Sequence, residues 1–175
     1  HEGAAFADFN HDGCLDLYIS KLYYCANING EQFENKLYQS NCDGTFTDVT
    51  LDSGVSLCPQ GTFQAVFIDY NKDGWEDLYL INELEEHTNY LFENNGDSTF
   101  QDASESSGLG IEIDAMTGTV GDFNNDLLLD IFVTNRPNSG GNYIMVSQSD
   151  GTYVNQASEL GLGLDFQSWG AVWLD

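Results

Sequence analysis

A polar stretch followed at once by an unbroken apolar run is the pattern that recurs along these 175 residues. The apolar runs are Leu17-Tyr18-Ile19, Leu78-Tyr79-Leu80-Ile81 and Ile131-Phe132-Val133. Short apolar runs bounded by polar turns predict strands covered on both faces. Ahead of each polar stretch lies a segment rich in Ala, Gly and β-branched residues, at 3–7, 62–68, 118–121 and again at 169–174. Such composition predicts strands whose backbones approach closely. Farther on, Asp43-Gly44, Asp97-Ser98 and Asp150-Gly151 separate short segments with the residues of a hairpin turn,. With two prolines in the chain and no long helical periodicity, the prediction is all-β: tandem four-stranded antiparallel sheets, three units plus the start of a fourth. The expected units are 1–60, 61–114, 115–166 and, as a first strand alone, 167–175.

The polar stretches are copies of one another. They read Asp8-Phe9-Asn10-His11-Asp12-Gly13-Cys14-Leu15-Asp16, Asp69-Tyr70-Asn71-Lys72-Asp73-Gly74-Trp75-Glu76-Asp77 and Asp122-Phe123-Asn124-Asn125-Asp126-Leu127-Leu128-Leu129-Asp130, and Asp175 stands where a fourth would begin. Each is D-x-N-x-D-G-x-x-D, with Leu127 in place of the third glycine. The first positions are 61, 53 and 53 residues apart, a period that marks a repeat architecture. A second signature recurs between them, from Asn35, Asn89 and Asn142, through Asp43, Asp97 and Asp150, to Gly54, Gly108 and Gly161.

Oxygen-bearing side chains at positions 1, 3 and 5, a backbone carbonyl at 7 and a carboxylate at 9 are what a hard cation takes. Three carboxylates held close together repel one another unless a cation lies among them. An EF-hand would need Glu at position 12 and flanking helices. Position 12 is Ile19, Leu80 and Val133, and the flanks predict strands, so that reading is rejected while Ca2+ is retained, at about three complete sites. Leu127, if its position needs φ > 0, costs about 1–2 kcal/mol, so the third site is expected to bind most weakly or to adopt another loop shape.

Charge narrows the setting. Four Lys and Arg against 29 Asp and Glu give a net charge of −25, which excludes a nucleic-acid surface and argues against anionic lipid. No run is long or apolar enough to insert in a membrane. Cys14, Cys25, Cys42 and Cys58 fall in the first unit without C-x-x-C spacing, which points to one or two disulfides, in any of three pairings, and an oxidising compartment. No N-glycosylation sequon occurs,. A chain that starts at His1 and stops at the first residue of a loop reads as a window on a longer protein. Sites of catalysis are not evident: His1, His11 and His87 are scattered, and no G-x-S-x-G, H-E-x-x-H or phosphate-loop motif is present,. The segments 21–32, 82–88 and 135–141 vary most between units and suit recognition. Tyr23, Tyr24, Trp75, Trp169 and Trp173 are candidate sugar-facing aromatics, with core packing favoured for the last two.

The loop and hairpin signatures together resemble the FG-GAP/VCBS repeats, of the integrin-α-like and cartilage-acidic-protein-like β-propeller kind. The resemblance covers nearly the whole chain. It implies propeller-type blades with calcium in the hairpin between the first two strands. By position, it implies ligands Asp8, Asn10, Asp12, the Cys14 carbonyl and Asp16. It implies Asp69, Asn71, Asp73, the Trp75 carbonyl and Asp77 in the second loop, and Asp122, Asn124, Asp126, the Leu128 carbonyl and Asp130 in the third. Three units cannot close a ring, since propellers use four to eight blades. The function implied is a non-enzymatic extracellular or cell-surface scaffold for adhesion, recognition or matrix structure. Its partners would be neighbouring units or protomers, or an extracellular protein or glycan. The alternatives are a tandem-repeat filament subunit and part of a propeller-fold polysaccharide-active enzyme.

Overall fold

The computed structural model describes residues 2–21, 34–57, 61–83, 87–136, 140–163 and 168–173. Cys25, Cys58, Tyr23, Tyr24 and Asp175 lie outside them. Among the described residues, twelve strands form three four-stranded sheets. The first holds β1 (Glu2–Ala7), β2 (Asp16–Lys21), β3 (Lys36–Ser40) and β4 (Phe46–Asp48). The second holds β5 (Thr62–Ile68), β6 (Asp77–Asn82), β7 (Tyr90–Asn94) and β8 (Phe100–Asp102). The third holds β9 (Ala115–Gly121), β10 (Asp130–Asn135), β11 (Tyr143–Ser147) and β12 (Tyr153–Asn155). Every sheet keeps sequence order and every neighbour pair is antiparallel. One short helix, α1 (Ser104–Ser107), falls between the second and third sheets.

The middle sheet explains the unbroken apolar runs. Successive residues of a strand point to opposite faces. On β6, Leu78 and Leu80 join a core with Phe9, Tyr18, Leu37 and Phe100, toward the first sheet. Tyr79 and Ile81 join the other core with Leu109, Ile131, Val133 and Met145, toward the third. All six β6 residues are buried, whereas on β2 of the first sheet buried and half-buried residues alternate. The sequence reading, of cover on both faces, thus needs correction for β2: the second sheet covers only one of its faces, and Phe6 of neighbouring β1 is 59% exposed.

The sheets meet through close backbone approach. A Cβ on Gly3 would stand 2.9 Å from the Phe63 carbonyl oxygen, and one on Gly118 would stand 2.5 Å from Ile81 Cδ1. Gln64 Oε1 accepts hydrogen bonds from Thr117 Oγ1 (2.6 Å) and Gly118 N (2.9 Å). Asn94 Nδ2 donates to the Phe9 carbonyl (2.8 Å). Across the same seam as Gln64, Arg136 pairs with Glu83 and Asp114.

Of the expected first strand of a fourth unit, the described residues 168–173 are not in a strand. Trp173 instead stacks on Phe123, with centroids 6.3 Å apart, and abuts Gly121. Trp169 is 62% exposed, so the expected core packing holds for Trp173 and not for Trp169.

Candidate metal loops

The three polar stretches are the β1–β2, β5–β6 and β9–β10 hairpin loops, and they share one shape. In each, the position-1 carboxylate accepts the N–H groups of positions 5 and 6, and the position-3 amide oxygen also accepts the N–H of position 5. The position-5 carboxylate accepts the N–H of position 7 and the side-chain amide of position 3. In loop 1 these bonds link Asp8, Asn10, Asp12, Gly13 and Cys14. In loop 2 they link Asp69, Asn71, Asp73, Gly74 and Trp75. In loop 3 they link Asp122, Asn124, Asp126, Leu127 and Leu128. All fifteen span 2.8–3.1 Å. Donation from the Asn10 amide holds the Asp12 carboxyl below its ordinary value.

Two positions per loop take the left-handed region. Position 6 is Gly13, Gly74 and Leu127, and Leu127 has φ 69°. The expected change of loop shape therefore does not occur: Leu127 N still reaches Asp122 at 2.9 Å. Position 4, which the sequence did not flag, is His11, Lys72 and Asn125, with φ of 57°, 62° and 61°. Its side chains reach the next loop. The His11 ring stacks on Trp75 at 4.1 Å, and the Lys72 ammonium donates to the Leu127 carbonyl. The three loops therefore line one rim.

Position 9 is set apart. Asp16, Asp77 and Asp130 are fully buried. Asp16 accepts Phe9 N and Ser40 N, Asp77 accepts Tyr70 N and Asn94 N, and Asp130 accepts Phe123 N and Ser147 N, at 2.8–3.3 Å. Each carboxylate thus clips the start of its loop to the last residue of the third strand. Burial raises all three above the usual carboxylate range, Asp77 to about 7. In no loop do the carboxylates of positions 1, 5 and 9 all lie within 4.8 Å of one another. Positions 1, 3 and 5 fit a hard cation: they are oxygen donors drawn onto one small loop, and a carboxylate oxygen that accepts one N–H keeps further lone-pair capacity.

Cys14 and Cys42 form a disulfide. It joins position 7 of loop 1 to the β3–β4 turn and takes both sulfurs away from metal ligation beside Asp12. Trp75 is packed between loops rather than presented to a sugar, since its ring meets both His11 and Gly96. The recurring asparagines, whose role the sequence left open, cap the second strands. Asn35, Asn89 and Asn142 accept the N–H of Lys21, Asn82 and Asn135 at 2.8–3.0 Å. Their signal was the fixed spacing alone. Among the described residues no helix is long and apolar enough to cross a membrane.

The chain is 32% identical over 113 residues to cartilage acidic protein 1 of Xenopus tropicalis, covering 64% of this chain and 17% of that protein. It is also 32% identical over 113 residues to the Homo sapiens protein of the same name, covering 16% of it. The chain therefore spans less than a fifth of these relatives. A solved structure of an Agrocybe aegerita lectin, described as recognising non-reducing terminal N-acetylglucosamine, aligns with a TM-score of 0.47 at 18% identity. It covers 87% of this chain and 36% of that one. Residues 69–133, which run from the first carboxylate of loop 2 to Val133 of β10, match the FG-GAP-like repeat.

Proposed function

We propose that the chain is a calcium-stabilised extracellular repeat scaffold, non-enzymatic, whose cation loops hold successive sheets in a fixed relation for adhesion, recognition or matrix assembly. The observation that carries this reading is the five-bond pattern reproduced in three loops whose other residues differ. Asp8, Asn10 and Asp12, Asp69, Asn71 and Asp73, and Asp122, Asn124 and Asp126 would hold the ions, with the carbonyls of Cys14, Trp75 and Leu128. A bound Ca2+ would supply positive charge to each group of carboxylates. Asp16, Asp77 and Asp130 close each hairpin onto its third strand. The Cys14–Cys42 bond and the similarity to cartilage acidic protein 1 support an extracellular setting,. Partners would be neighbouring repeat units, or an extracellular protein or glycan.

Calorimetric titration with CaCl2, paired with thermal unfolding in CaCl2 and in EDTA, tests this. Up to three sites per chain and a chelator-sensitive midpoint are expected. No heat of binding and one midpoint in both buffers would end the calcium reading.

A further inference from the structure

We propose that the contact between position 7 of each loop and the turn joining its third and fourth strands sets how tightly that loop holds a divalent cation, with loop 1 the tightest. The inference rests on the calcium reading above and deepens it. The turn residues are Cys42, Gly96 and Ser149, each seven positions after the recurring asparagine. Their position-7 counterparts are Cys14, Trp75 and Leu128. In the first sheet the pair is a covalent bond. In the second, the Trp75 ring lies where a Cβ on Gly96 would stand, 3.0 Å from its nearest atoms. In the third, half-buried Leu128 is matched with an exposed serine, joined by neither bond nor ring. Cys42 and Gly96 share the left-handed backbone, at φ 58° and 75°, so the two turns present the same geometry to different side chains.

Position 7 matters because its peptide serves the loop twice. Its N–H is held by the position-5 carboxylate at 2.8–2.9 Å in all three loops, and its carbonyl is the backbone ligand of the proposed site. Gathering a loop around an ion costs conformational freedom. A position-7 residue already anchored to a different hairpin has less to lose, which is the general advantage of preorganisation. The bond between Cys14 and Cys42 restrains 28 residues of sequence separation. The Trp75 contact restrains its loop less, and Leu128 with Ser149 least. Cys14 and Cys42 are therefore positioning residues, acting on the ion through the loop peptide.

The test is calorimetric titration of CaCl2 into the whole chain, as native protein, as Cys14→Ser/Cys42→Ser, and as Trp75→Cys/Gly96→Cys oxidised and confirmed by thiol count. In the native protein the three sites are expected to resolve as unequal. Removing the bond should weaken the tightest site by about three- to tenfold and leave the other two unchanged. A general loss of stability would weaken all three together. The transplanted bond should tighten one site by a similar factor. Unchanged affinities in the serine variant, or in the transplant with its bond formed, would overturn the proposal while leaving calcium binding intact. Absence of binding in the native protein would overturn the calcium reading and this inference with it.

Discussion

Leu127 stands at φ 69°, where loops 1 and 2 have glycine, and its side chain is 79% exposed. Its N–H keeps the bond to Asp122 that the glycines make in their loops, so the loop's shared bonds prevail over the preference of one side chain. A left-handed leucine costs about 1–2 kcal/mol, and an exposed side chain returns little of it. Leu127→Gly should therefore raise stability by about 1 kcal/mol, seen as a higher urea midpoint at unchanged slope. The need at position 6 was legible because glycine recurs there. Position 4 was not, because histidine, lysine and asparagine share no steric mark of a left-handed backbone. The same contrast separates the acids. Their spacing made all three carboxylates of a loop look alike, whereas burial assigns Asp77 a different task. Asp77→Ala would leave Tyr70 N and Asn94 N without their acceptor, at about 1–3 kcal/mol for each buried group left unpaired. Asp73→Ala, on an exposed loop carboxylate, should cost much less when measured without calcium in the same denaturation experiment.

Strands were legible in the apolar and small-residue segments on either side of the polar loops. The runs at 78–81 and 131–133 fall within β6 and β10, and the segment at 62–68 is β5. The segment at 169–174 has the same composition, and its described residues are not in a strand. The four residues of α1 carry too short a pattern to be read as helix. They are placed by tertiary contact: Ser104 Oγ accepts Leu91 N at 3.0 Å and donates to Asp102 at 2.5 Å. Glycines in first strands were expected to permit close approach, and Gly118 does so between the second and third sheets. Gly118→Val would drive its side chain into Ile81, 2.5 Å from the position of its Cβ. Overpacking of this kind costs about 1–3 kcal/mol, which a lowered thermal midpoint would register. Valine at Gly151, where a Cβ meets nothing within 4 Å but φ is 82°, separates backbone strain from clash and leaves the seam between the sheets intact.

At the scale of the molecule, a net charge of −25 works against compactness through self-repulsion. Monovalent salt screens it, so the thermal midpoint in EDTA should climb with NaCl from low to physiological strength. CaCl2 at matched ionic strength should raise it further, because an ion held at a site acts beyond screening. Equal midpoints in the two salts would count against occupied loops. Because His11 rests on Trp75 and Lys72 reaches Leu127, the three acidic hairpin tips stand shoulder to shoulder along a single border. Without calcium that border gathers the exposed carboxylates of three hairpins, and a positively charged visitor would be drawn to it. Filling the loops would offset that charge, so the pull of the border on a cationic partner would itself respond to the calcium around it.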